Sequence, residues 1–390
     1  MTVGIDLIHF ATSDYELGLD TFAKEKKMDV NKFFTGIGQE RMSIAPPDED
    51  IVTLAAKATA PILEQIDKQS ITAILFATES AIDQSKSAGV FLHRLLGMSP
   101  KCRAVEFKQA CYAGAAALQM AVLMVHNNAK EKVLVIASDI ARYDKDSPGE
   151  ATQGCGAVAM LITQSPRIIA IEQGSGYYTE DVSDFWRPNN RSTAIVDGKY
   201  STKIYLKSLK ESWNNFTEET GKNFNDIDKF CYHIPFTRMT DKAHQTLIRK
   251  TGQKLTAEEI KEQIFAGQTY NRVVGNSYCA SLFISLCSFL DNSKNCLEGN
   301  RFGFFSYGSG CVAEYFTGIV QKNYQDYLMT NSHQQQINNR QALSYDKYVE
   351  FYYTKPLDGE NIIFDKNNKG DYRLEKIENY IRKYTQENTE

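Results

Sequence analysis

Long hydrophobic runs are missing from this sequence of 390 residues. No stretch approaches the roughly 18 uninterrupted apolar residues that a membrane-spanning helix needs. The N-terminus has a short β-type apolar run that acquires a charge at Asp6, and it lacks the basic region and long apolar segment of a secretory signal. We therefore expect a cytoplasmic protein without a membrane partner.

An excess of positive charge is also missing. The 44 Lys and Arg residues against 48 Asp and Glu residues give a formal net charge of -4. This balance argues against nucleic acid or an anionic membrane as a partner, because clustered positive charge is what holds such partners. Local basic pockets for a small anion are compatible with the same composition.

Motifs for metals and nucleotides are absent as well. The eight cysteines are scattered without a CxxC pair, so no metal site is predicted. The glycine-rich segments TQGCGAVA (152–159) and SYGSG (306–310) lack the spacing of a P-loop or a dinucleotide fingerprint, and their glycines serve either close backbone approach beside a ligand or helix, or turns alone. We predict no cofactor. Apart from Cys111, the cysteines are expected to be reduced and buried in the core, and these are Cys102, Cys155, Cys231, Cys279, Cys287, Cys296 and Cys311.

Alternating strand and helix patterns are what the sequence does contain. An apolar β-type run at 71–80 precedes a helical pattern that ends at Gly97, and the same alternation continues along the chain. Near-continuous apolar strands that alternate with helices indicate an α/β protein whose sheet is covered on both faces. The length suggests two or three domain-sized units.

The second half of the sequence echoes the first. The strand that ends at Glu79 corresponds to the strand that carries His233. The helix that opens at Cys111 corresponds to the helix that opens at Asn276. This pattern suggests internal duplication, although two α/β halves can also align by chance.

We place the boundary between the halves so that they comprise residues 1–165 and 166–390. A polar, aromatic stretch at 174–203 has no strong periodicity, and we predict that it is a covering loop or insertion. Near the C-terminus the segment LEKIENYIRKY is amphipathic. We expect it to dock on the second half.

Cys111 precedes a run of small residues that predicts a buried helix packed closely against its neighbours. A cysteine at the N-terminus of a helix lies at the positive end of the helix dipole, so we expect a lowered thiol pKa and a reactive thiolate. Its backbone N–H could serve an oxyanion. By its spacing alone, a structural cysteine is an equally acceptable interpretation.

Glu79 and His233 interrupt apolar strands. Glu79 ends the strand-like segment FATES, at the place where α/β proteins position functional groups, and burial there would raise its pKa into the range of a general acid and base. His233 lies in FCYHIPF before Pro235, where a core histidine is the alternative interpretation.

Seven segments together resemble the motif set of 3-hydroxy-3-methylglutaryl-CoA (HMG-CoA) synthases of the bacterial type. They extend along nearly the whole chain and are EFKQACYAGAAAL, FATESAID, FCYHIPFTRM, FWRP, VDGKYS, GNSY and FSYGSG. The resemblance implies the thiolase-like αβαβα five-layer fold, built from two similar halves with an added loop and helical region over the active site. It also implies a homodimer that acts on CoA thioesters.

The resemblance also implies roles for individual residues. Cys111 is expected to accept the acetyl group, Glu79 to act as general acid and base, and His233 to orient the acetoacetyl thioester. Further positions are expected to bind substrate: Tyr143, Thr152, Phe185, Arg238, Lys242, Asn276 and Ser306. Among these, Arg238 and Lys242 would meet the CoA arm, and Ser306 would supply backbone donors.

The implied reaction condenses acetyl-CoA with acetoacetyl-CoA in the mevalonate pathway to isoprenoids. A soft thiolate suits attack on a thioester, and covalent catalysis divides one difficult step into two. The alternatives are a β-branching synthase of polyketide assembly, which takes donors from a carrier protein, a ketoacyl synthase III-like enzyme, and a non-catalytic acyl-binding homologue. Glu79 argues against the ketoacyl synthase, which uses Cys, His and Asn.

Overall fold

A computed structural model describes residues 2–353 and 359–386. In chain order its strands are β1 (Val3–Ala11), β2 (Tyr15–Gly18), β3 (Arg41–Ser43), β4 (Ala73–Ala77), β5 (Arg103–Phe107), β6 (Val133–Ile140), β7 (Cys155–Gln164), β8 (Ile169–Ile171), β9 (Gly176–Thr179), β10 (Phe185–Trp186), β11 (Ile195–Val196), β12 (Lys229–Tyr232), β13 (Arg301–Gly308), β14 (Val312–Val320), β15 (Gln341–Ala342), β16 (Asn361–Ile363), β17 (Tyr372–Glu378) and β18 (Ile381–Gln386). The helices are α1 (Leu19–Glu25), α2 (Ile51–Leu63), α3 (Ala88–Leu95), α4 (Ala113–Asn127), α5 (Gly198–Thr220), α6 (Arg238–Thr251), α7 (Ala257–Ile264), α8 (Asn271–Val274), α9 (Ser281–Asn292), α10 (Thr330–Asn338) and α11 (Tyr345–Tyr353).

A mixed sheet of ten strands runs through the molecule in the order β12-β13-β14-β8-β1-β7-β6-β4-β5, with β9 paired to β14. Strand β4 runs parallel to both β5 and β6, and β12 runs parallel to β13. The other pairs in this sheet are antiparallel. Consequently β5 and β12 form the two outer edges of the sheet.

Strand side chains alternate between separate cores, which creates the layers. On β4, Ile74 and Phe76 pack with α2 and α3, whereas Leu75 faces a central core with α4 and α9. On β12, Phe230 faces α5 and α6, whereas Cys231 faces the same central core. Because neighbouring strand residues point to opposite faces, the order is helix, sheet, helix, sheet, helix. The predicted five-layer α/β fold is confirmed.

The two central helices approach each other closely because α4 is rich in small residues. A Cβ atom added at Gly114 would lie 2.9 Å from the Cys279 carbonyl oxygen and 2.9 Å from the Phe283 ring. Only glycine avoids such a collision, so this position lets the start of α4 contact the turn before α9. The contact brings the segment after Cys111 beside the segment after Asn276.

The predicted covering region at 174–203 contains β9, the two-stranded unit β10 and β11, and the first turns of α5. Helix α5 begins after Asp197, whose side chain accepts a hydrogen bond from the Tyr200 N–H at 3.0 Å. Phe185 and Ala194 pack in one apolar cluster with Cys111. The region therefore lies over the candidate site.

The C-terminal segment LEKIENYIRKY was predicted to dock on the second half, and this is wrong. It forms most of the hairpin β17–β18, which packs against α2 of the first half. Tyr384 OH donates to Asp50 Oδ2 at 2.6 Å, and Arg382 lies 3.2 Å from the same oxygen. The Leu374 N–H donates to the Asp48 carbonyl at 2.9 Å. Two acidic residues before α2 thus anchor the tail.

Two expectations from composition can be compared with the structure. All eight cysteines are free, and six of the seven that were predicted to be buried core residues are buried. Cys296 is exposed, because it lies in the polar loop between α9 and β13 rather than in an element. Among residues 2–353 and 359–386, every helix is too short or too polar to cross a membrane.

Candidate active site

The Glu79 turn is held by a buried carboxylate that faces it from β6. Asp139 Oδ1 accepts hydrogen bonds from the Thr78 hydroxyl at 2.7 Å, the Glu79 N–H at 2.9 Å and the Ser80 N–H at 2.9 Å. Its Oδ2 accepts from the Cys279 N–H at 3.0 Å. One side chain therefore fixes the end of β4 relative to the turn before α9.

Cys111 lies just before α4, in a tight turn. The helix begins at Ala113, so the predicted helix start at Cys111 is two residues too early. Ala110 has a φ of 44°, which is unusual for a residue with a side chain. Gly308 on β13 packs against this turn, since a Cβ atom there would lie 2.4 Å from the Gln109 carbonyl oxygen. The predicted close approach of the SYGSG glycines is confirmed at this position.

The Cys111 thiol and the Glu79 carboxyl are in direct contact. Cys111 Sγ lies 3.4 Å from Glu79 Oε2. Burial, and secondly the negative charge of Asp139, raise the pKa of Glu79 well above its ordinary value of 4.5. On the other side of the turn, the Arg187 guanidinium donates to the Glu79 carbonyl oxygen at 2.7 Å. A carboxyl in this environment can both accept and return a proton near neutral pH.

The expected lowering of the Cys111 pKa by the helix dipole is wrong. Burial first, and then the charge of Glu79, raise the pKa of the Cys111 thiol well above its ordinary value. Cys111 precedes the N-cap residue of α4, and burial together with the charge of Glu79 outweighs any stabilisation of the thiolate by the helix N-terminus. The resting nucleophile is therefore a protonated thiol that must lose its proton as it reacts.

His233 follows β12 and is buried and neutral. Its N–H donates to the Phe305 carbonyl at 2.8 Å, and its carbonyl accepts from Tyr205 OH at 2.7 Å. The ring Nδ1 lies 2.8 Å from Ser281 Oγ, which also accepts from the Ile234 N–H at 3.2 Å. Burial lowers the pKa of His233 from 6.5 to about 3. The imidazole is thus a neutral hydrogen-bonding group with both its backbone and Nδ1 fixed.

Four of the predicted substrate-binding residues are brought together beside Cys111. Asn276 Nδ2 donates to Tyr143 OH at 3.5 Å, and the Asn276 N–H donates to the Thr152 carbonyl at 2.9 Å. The rings of Tyr143 and Phe185 are 6.1 Å apart. Asn276 precedes a 3₁₀ turn at Tyr278–Ala280 and then α9, so it does not itself begin the helix.

Ser306 lies on β13 and is almost completely buried. Its backbone pairs with Glu314 on β14, and the preceding Phe305 carbonyl accepts the His233 N–H. The strand therefore runs beside His233. The role of Ser306 as a source of backbone donors stays a prediction.

Arg238 and Lys242 are placed at the start of α6, on one helix face as predicted. Arg238 forms an ion pair with Asp241 at 2.9 Å, and its Nε donates to the Thr35 carbonyl at 3.1 Å. Lys242 Nζ lies 5.1 Å from the centre of the Phe236 ring. Both residues are at the surface, and their contact with a CoA arm stays a prediction.

A cavity of about 770 Å³ opens beside Glu79. Phe185 and Tyr278 line it near the thiol, whereas Arg238 and Lys242 lie outside it. Its basic lining residues are Arg142, Lys145, Arg187, Arg191 and Arg382. Within the part of the chain that the structure describes, no group of three or more His, Cys, Asp and Glu residues has the arrangement of a metal site.

Sequence analysis missed two residues of this site, Asp139 and Tyr278. Asp139 is a charged residue inside the apolar strand VLVIASDI, which is the same signal that identified Glu79. Tyr278 has a φ of 45°, is buried, and stacks edge to face on Phe185 with ring centres 5.7 Å apart. Tyr278 belongs to the motif GNSY, but its positive φ cannot be predicted from the residue types of that motif.

Replacing Asp139 with asparagine should slow the reaction step that depends on Glu79 about 10- to 100-fold. The amide nitrogen would oppose the Cys279 N–H, donor against donor, and so release one of the two segments that Asp139 joins. The measurement is the rate of condensation by the purified variant. Asp291→Asn, which alters another buried carboxylate beside His333, serves as the control. An unchanged rate in Asp139→Asn would contradict the anchoring role.

Comparisons with known proteins identify the family to which this chain is similar. The family model described as hydroxymethylglutaryl-coenzyme A synthase N terminal matches residues 2–166, and the corresponding C-terminal model matches 169–250 and 245–386. A relative from Enterococcus faecalis named hydroxymethylglutaryl-CoA synthase is 41% identical over 389 residues, which cover 98% of this chain and 100% of the relative.

Two further relatives extend the comparison. The polyketide biosynthesis 3-hydroxy-3-methylglutaryl-ACP synthase PksG of Bacillus subtilis (strain 168) is 32% identical over 369 residues, which cover 89% of this chain and 87% of the relative. A crystal structure of an HMG-CoA synthase complexed with CoA has a TM-score of 0.94 at 38% identity, and the match covers 99% of this chain and 100% of the other.

A five-layered α/β fold that holds a cysteine, a carboxyl and an imidazole at the ends of its strands and helices is that of a thiolase-like enzyme. The chain belongs to the hydroxymethylglutaryl-CoA synthase family. The resemblance that the sequence motifs indicated is thereby confirmed.

Proposed function

We propose that this protein condenses acetyl-CoA with acetoacetyl-CoA and water to give (S)-3-hydroxy-3-methylglutaryl-CoA and CoA. The observation that carries the proposal is the 3.4 Å contact between Cys111 Sγ and Glu79 Oε2. It joins a nucleophile that can hold an acyl group to a carboxyl whose raised pKa suits it to move protons at a carbon next to that group.

In the first step the Cys111 sulfur attacks the thioester carbonyl of acetyl-CoA. The bond between the carbonyl carbon and the CoA sulfur breaks, and the thiol proton leaves with the departing CoA thiol. Because burial raises the pKa of Cys111, this proton must be transferred during the attack rather than before it. The product is acetyl-Cys111 and free CoA.

In the second step Glu79 removes a proton from the acetyl methyl group. The resulting enolate attacks the ketone carbon of acetoacetyl-CoA, and protonated Glu79 returns its proton to the alkoxide that forms. Water then hydrolyses the Cys111 thioester, which releases a carboxylic acid and restores the thiol. A general acid and base of this kind contributes about 10² to 10⁴ in rate.

His233 acts as a neutral donor in this scheme. The Ser281 hydroxyl accepts the Ile234 N–H, so its own proton is available to His233 Nδ1. That arrangement leaves the ring proton on Nε2, where it can bind a carbonyl oxygen of the acetoacetyl thioester. Asn276 and Tyr143, linked at 3.5 Å, offer further polar contacts for the same substrate.

The second candidate is a β-branching synthase of polyketide assembly, which a specific relative favours, since the 32% identical protein from Bacillus subtilis is named an ACP synthase. The discriminating experiment offers the purified protein either acetyl-CoA or an acetylated acyl carrier protein, with acetoacetyl-CoA as acceptor. We expect turnover with acetyl-CoA. Turnover with the acetylated carrier protein alone would overturn the first proposal in favour of the second.

The proposal includes the wider setting that the family resemblance implies. The reaction would serve the mevalonate pathway to isoprenoids, in the cytoplasm, and no cofactor is needed because the CoA thioesters are substrates. We also propose that residues 1–165 and 166–390 are the two similar halves. The break between the two family matches, after 166 and before 169, supports this boundary.

A homodimer is part of the same proposal. Strand β5 is an outer edge of the ten-stranded sheet, and apolar side chains are exposed on it and on the two adjacent helices. Val105 on β5 is 48% exposed, and Leu123 on α4 is 62% exposed, with Val90 and Met120 nearby on α3 and α4. An exposed strand edge flanked by apolar residues is a surface that a second copy can cover.

Leu123→Glu should therefore convert the dimer into a monomer, because a buried unpaired carboxylate opposes association. The measurement is molar mass by light scattering after gel filtration. Ile363→Glu, at an apolar residue that is 85% exposed on β16 far along the chain, is the matched control and should leave the dimer intact. A monomeric unaltered protein, or a dimeric Leu123→Glu variant, would contradict this interface.

A further inference from the structure

A buried carboxyl that the reaction scheme does not use is hydrogen-bonded to the residue that follows the nucleophile in the chain. Glu314 on β14 has no exposed surface, and its Oε2 accepts a hydrogen bond from Tyr112 OH at 2.8 Å. Its other oxygen, Oε1, makes no hydrogen bond of ordinary geometry among residues 2–353 and 359–386, although the side chains of Ser175 and Gln119 interact with the carboxyl. Tyr112 directly follows Cys111 and directly precedes α4.

The surroundings of Glu314 contain polar groups but no described cation within hydrogen-bonding distance. Gln119 lies on α4 two turns after Tyr112, so both side chains occupy one helix face. The buried Gln119 side chain interacts with the Glu314 carboxyl and, like Tyr112 and Ser175, favours its ionised form. Tyr177 on β9 is paired with Glu314 across the sheet. The carboxyl thus faces α4 in the central layer, with Tyr112 as its hydrogen-bond donor.

The turn that carries Cys111 also contacts the end of β13, the strand that pairs with β14. Its backbone closes through a hydrogen bond from the Tyr112 N–H to the Gln109 carbonyl at 3.1 Å. The Gln109 side chain donates to the Ser309 carbonyl at 3.2 Å, and Gly308 leaves no space for a side chain against Tyr112. The end of β13 therefore contacts the turn at its backbone and at Gln109, and β14 contacts it through the hydrogen bond between Glu314 and Tyr112.

We propose that Glu314 is a positioning residue, which holds Tyr112 and thereby fixes the turn that presents Cys111 to the acyl donor. The proposal rests on the proposed function, because it assigns the residue to the acetylation step. Glu314 touches neither the thiol nor a substrate in this scheme. It acts through Tyr112 and the backbone of the turn.

Fold stability alone gives little reason to place a carboxyl here. A buried carboxylate without a cation is costly, and a glutamine of the same size could accept the Tyr112 hydroxyl without carrying charge. Burial raises the pKa of Glu314 from 4.5 to about 7. Above that pKa the carboxyl is ionised, and an ionised acceptor forms a shorter and stronger hydrogen bond than a neutral amide, so the carboxylate then restrains Tyr112 more firmly than glutamine would.

The experiment compares Glu314→Gln, Tyr112→Phe and the double variant in the full-length protein. The rate constant for acetylation of Cys111 by acetyl-CoA is measured in a quenched single turnover, and the Kd of acetoacetyl-CoA is measured separately. We expect each single variant to acetylate up to about tenfold more slowly, and the double variant to be no slower than Tyr112→Phe, because Glu314→Gln weakens the hydrogen bond that Tyr112→Phe removes. The Kd should change by less than about twofold, since the positioning acts on the nucleophile.

Tyr270→Phe is the matched control. Tyr270 OH donates to Asp291 Oδ2 at 2.7 Å, which is another partly buried tyrosine–carboxyl pair away from Cys111, and its loss should leave acetylation unchanged. Thermal melting checks that each variant is folded. If Glu314→Gln fails to fold, Tyr112→Phe still removes only one hydroxyl and decides the question.

Acetylation of the single variants at the rate of the unaltered protein would overturn the proposal. So would fully multiplying effects in the double variant, because these would show that the two residues act independently. Failure of the unaltered protein to become acetylated at all would instead contradict the proposed function, so the two failures are distinguishable.

Discussion

Cys111→Ala abolishes acetylation of the protein by acetyl-CoA and with it all turnover. The thiol is the only group in the scheme that holds an acyl intermediate, so its removal eliminates the covalent route rather than slowing it. The expected loss is complete within the sensitivity of mass spectrometry of the intact protein. The side chain is small, and its position outside α4 means that alanine should not disturb the helix.

Cys287→Ala is the matched control for this result. Cys287 is a free cysteine buried in the middle of α9, and its thiol has no part in the scheme. This variant should be acetylated as fast as the unaltered protein. Acetyl label that persists on Cys111→Ala would show that another residue carries the acyl group.

Glu79→Ala should retain acetylation but lose condensation by about 10² to 10⁴ in rate. The truncation removes the base, whereas the turn keeps its shape because Asp139 holds the backbone N–H of residue 79 and not its side chain. The negative charge of Glu79 contributes to the raised pKa of Cys111, so acetylation should not fall when that charge is removed. A single-turnover assay in which acetoacetyl-CoA is added after acetylation separates the two steps.

The pH dependence of the unaltered protein follows from the same carboxyl. Only the deprotonated form of Glu79 can remove a methyl proton, and burial raises the pKa of this group above its ordinary 4.5. The rate of the condensation step should therefore rise with pH through the neutral range, where an ordinary carboxyl is already fully ionised. In Glu79→Ala this rise should disappear. Condensation at the normal rate in that variant would contradict the assignment of Glu79.

The sequence was most informative where a residue departs from its local pattern. Glu79 is a charged residue at the end of an apolar strand, and Cys111 precedes a helix made of small residues. Both residues stand out because their neighbours are buried: the strand before Glu79 is apolar, and the helix after Cys111 is made of small residues that allow close packing. The α/β class with a sheet covered on both faces was predictable because strand alternation and helix periodicity are local properties, whereas the five-layer order was implied by the resemblance to the family.

The electrostatics of the site could not be predicted locally. The helix dipole was expected to govern the pKa of Cys111, but burial and Glu79 raise it. Glu79 is 32 residues away in the chain, and its contact with the thiol depends on the fold. The hydrogen bond from the Glu79 N–H to Asp139 joins residues 60 positions apart, so it also depends on the fold. Interactions of this kind are set by tertiary structure, which residue spacing does not contain.

The C-terminal hairpin shows how a pattern can mislead. Leu374 and Ile377 are both buried, and their separation of three residues is typical of a helix. In the structure a register shift between Leu374 and Lys376 adds one residue to β17, which lengthens the usual spacing of two. The turn residues Asn379 and Tyr380 both have positive φ, as a two-residue hairpin of type I′ requires.

The measurement that tests the central claim most directly is a chase of the acetylated protein. The protein is loaded with isotope-labelled acetyl-CoA, free donor is removed, and unlabelled acetoacetyl-CoA is added. The account predicts that the label leaves Cys111 and appears in 3-hydroxy-3-methylglutaryl-CoA. Label that remains on the protein, or that is released only as acetate, would contradict it.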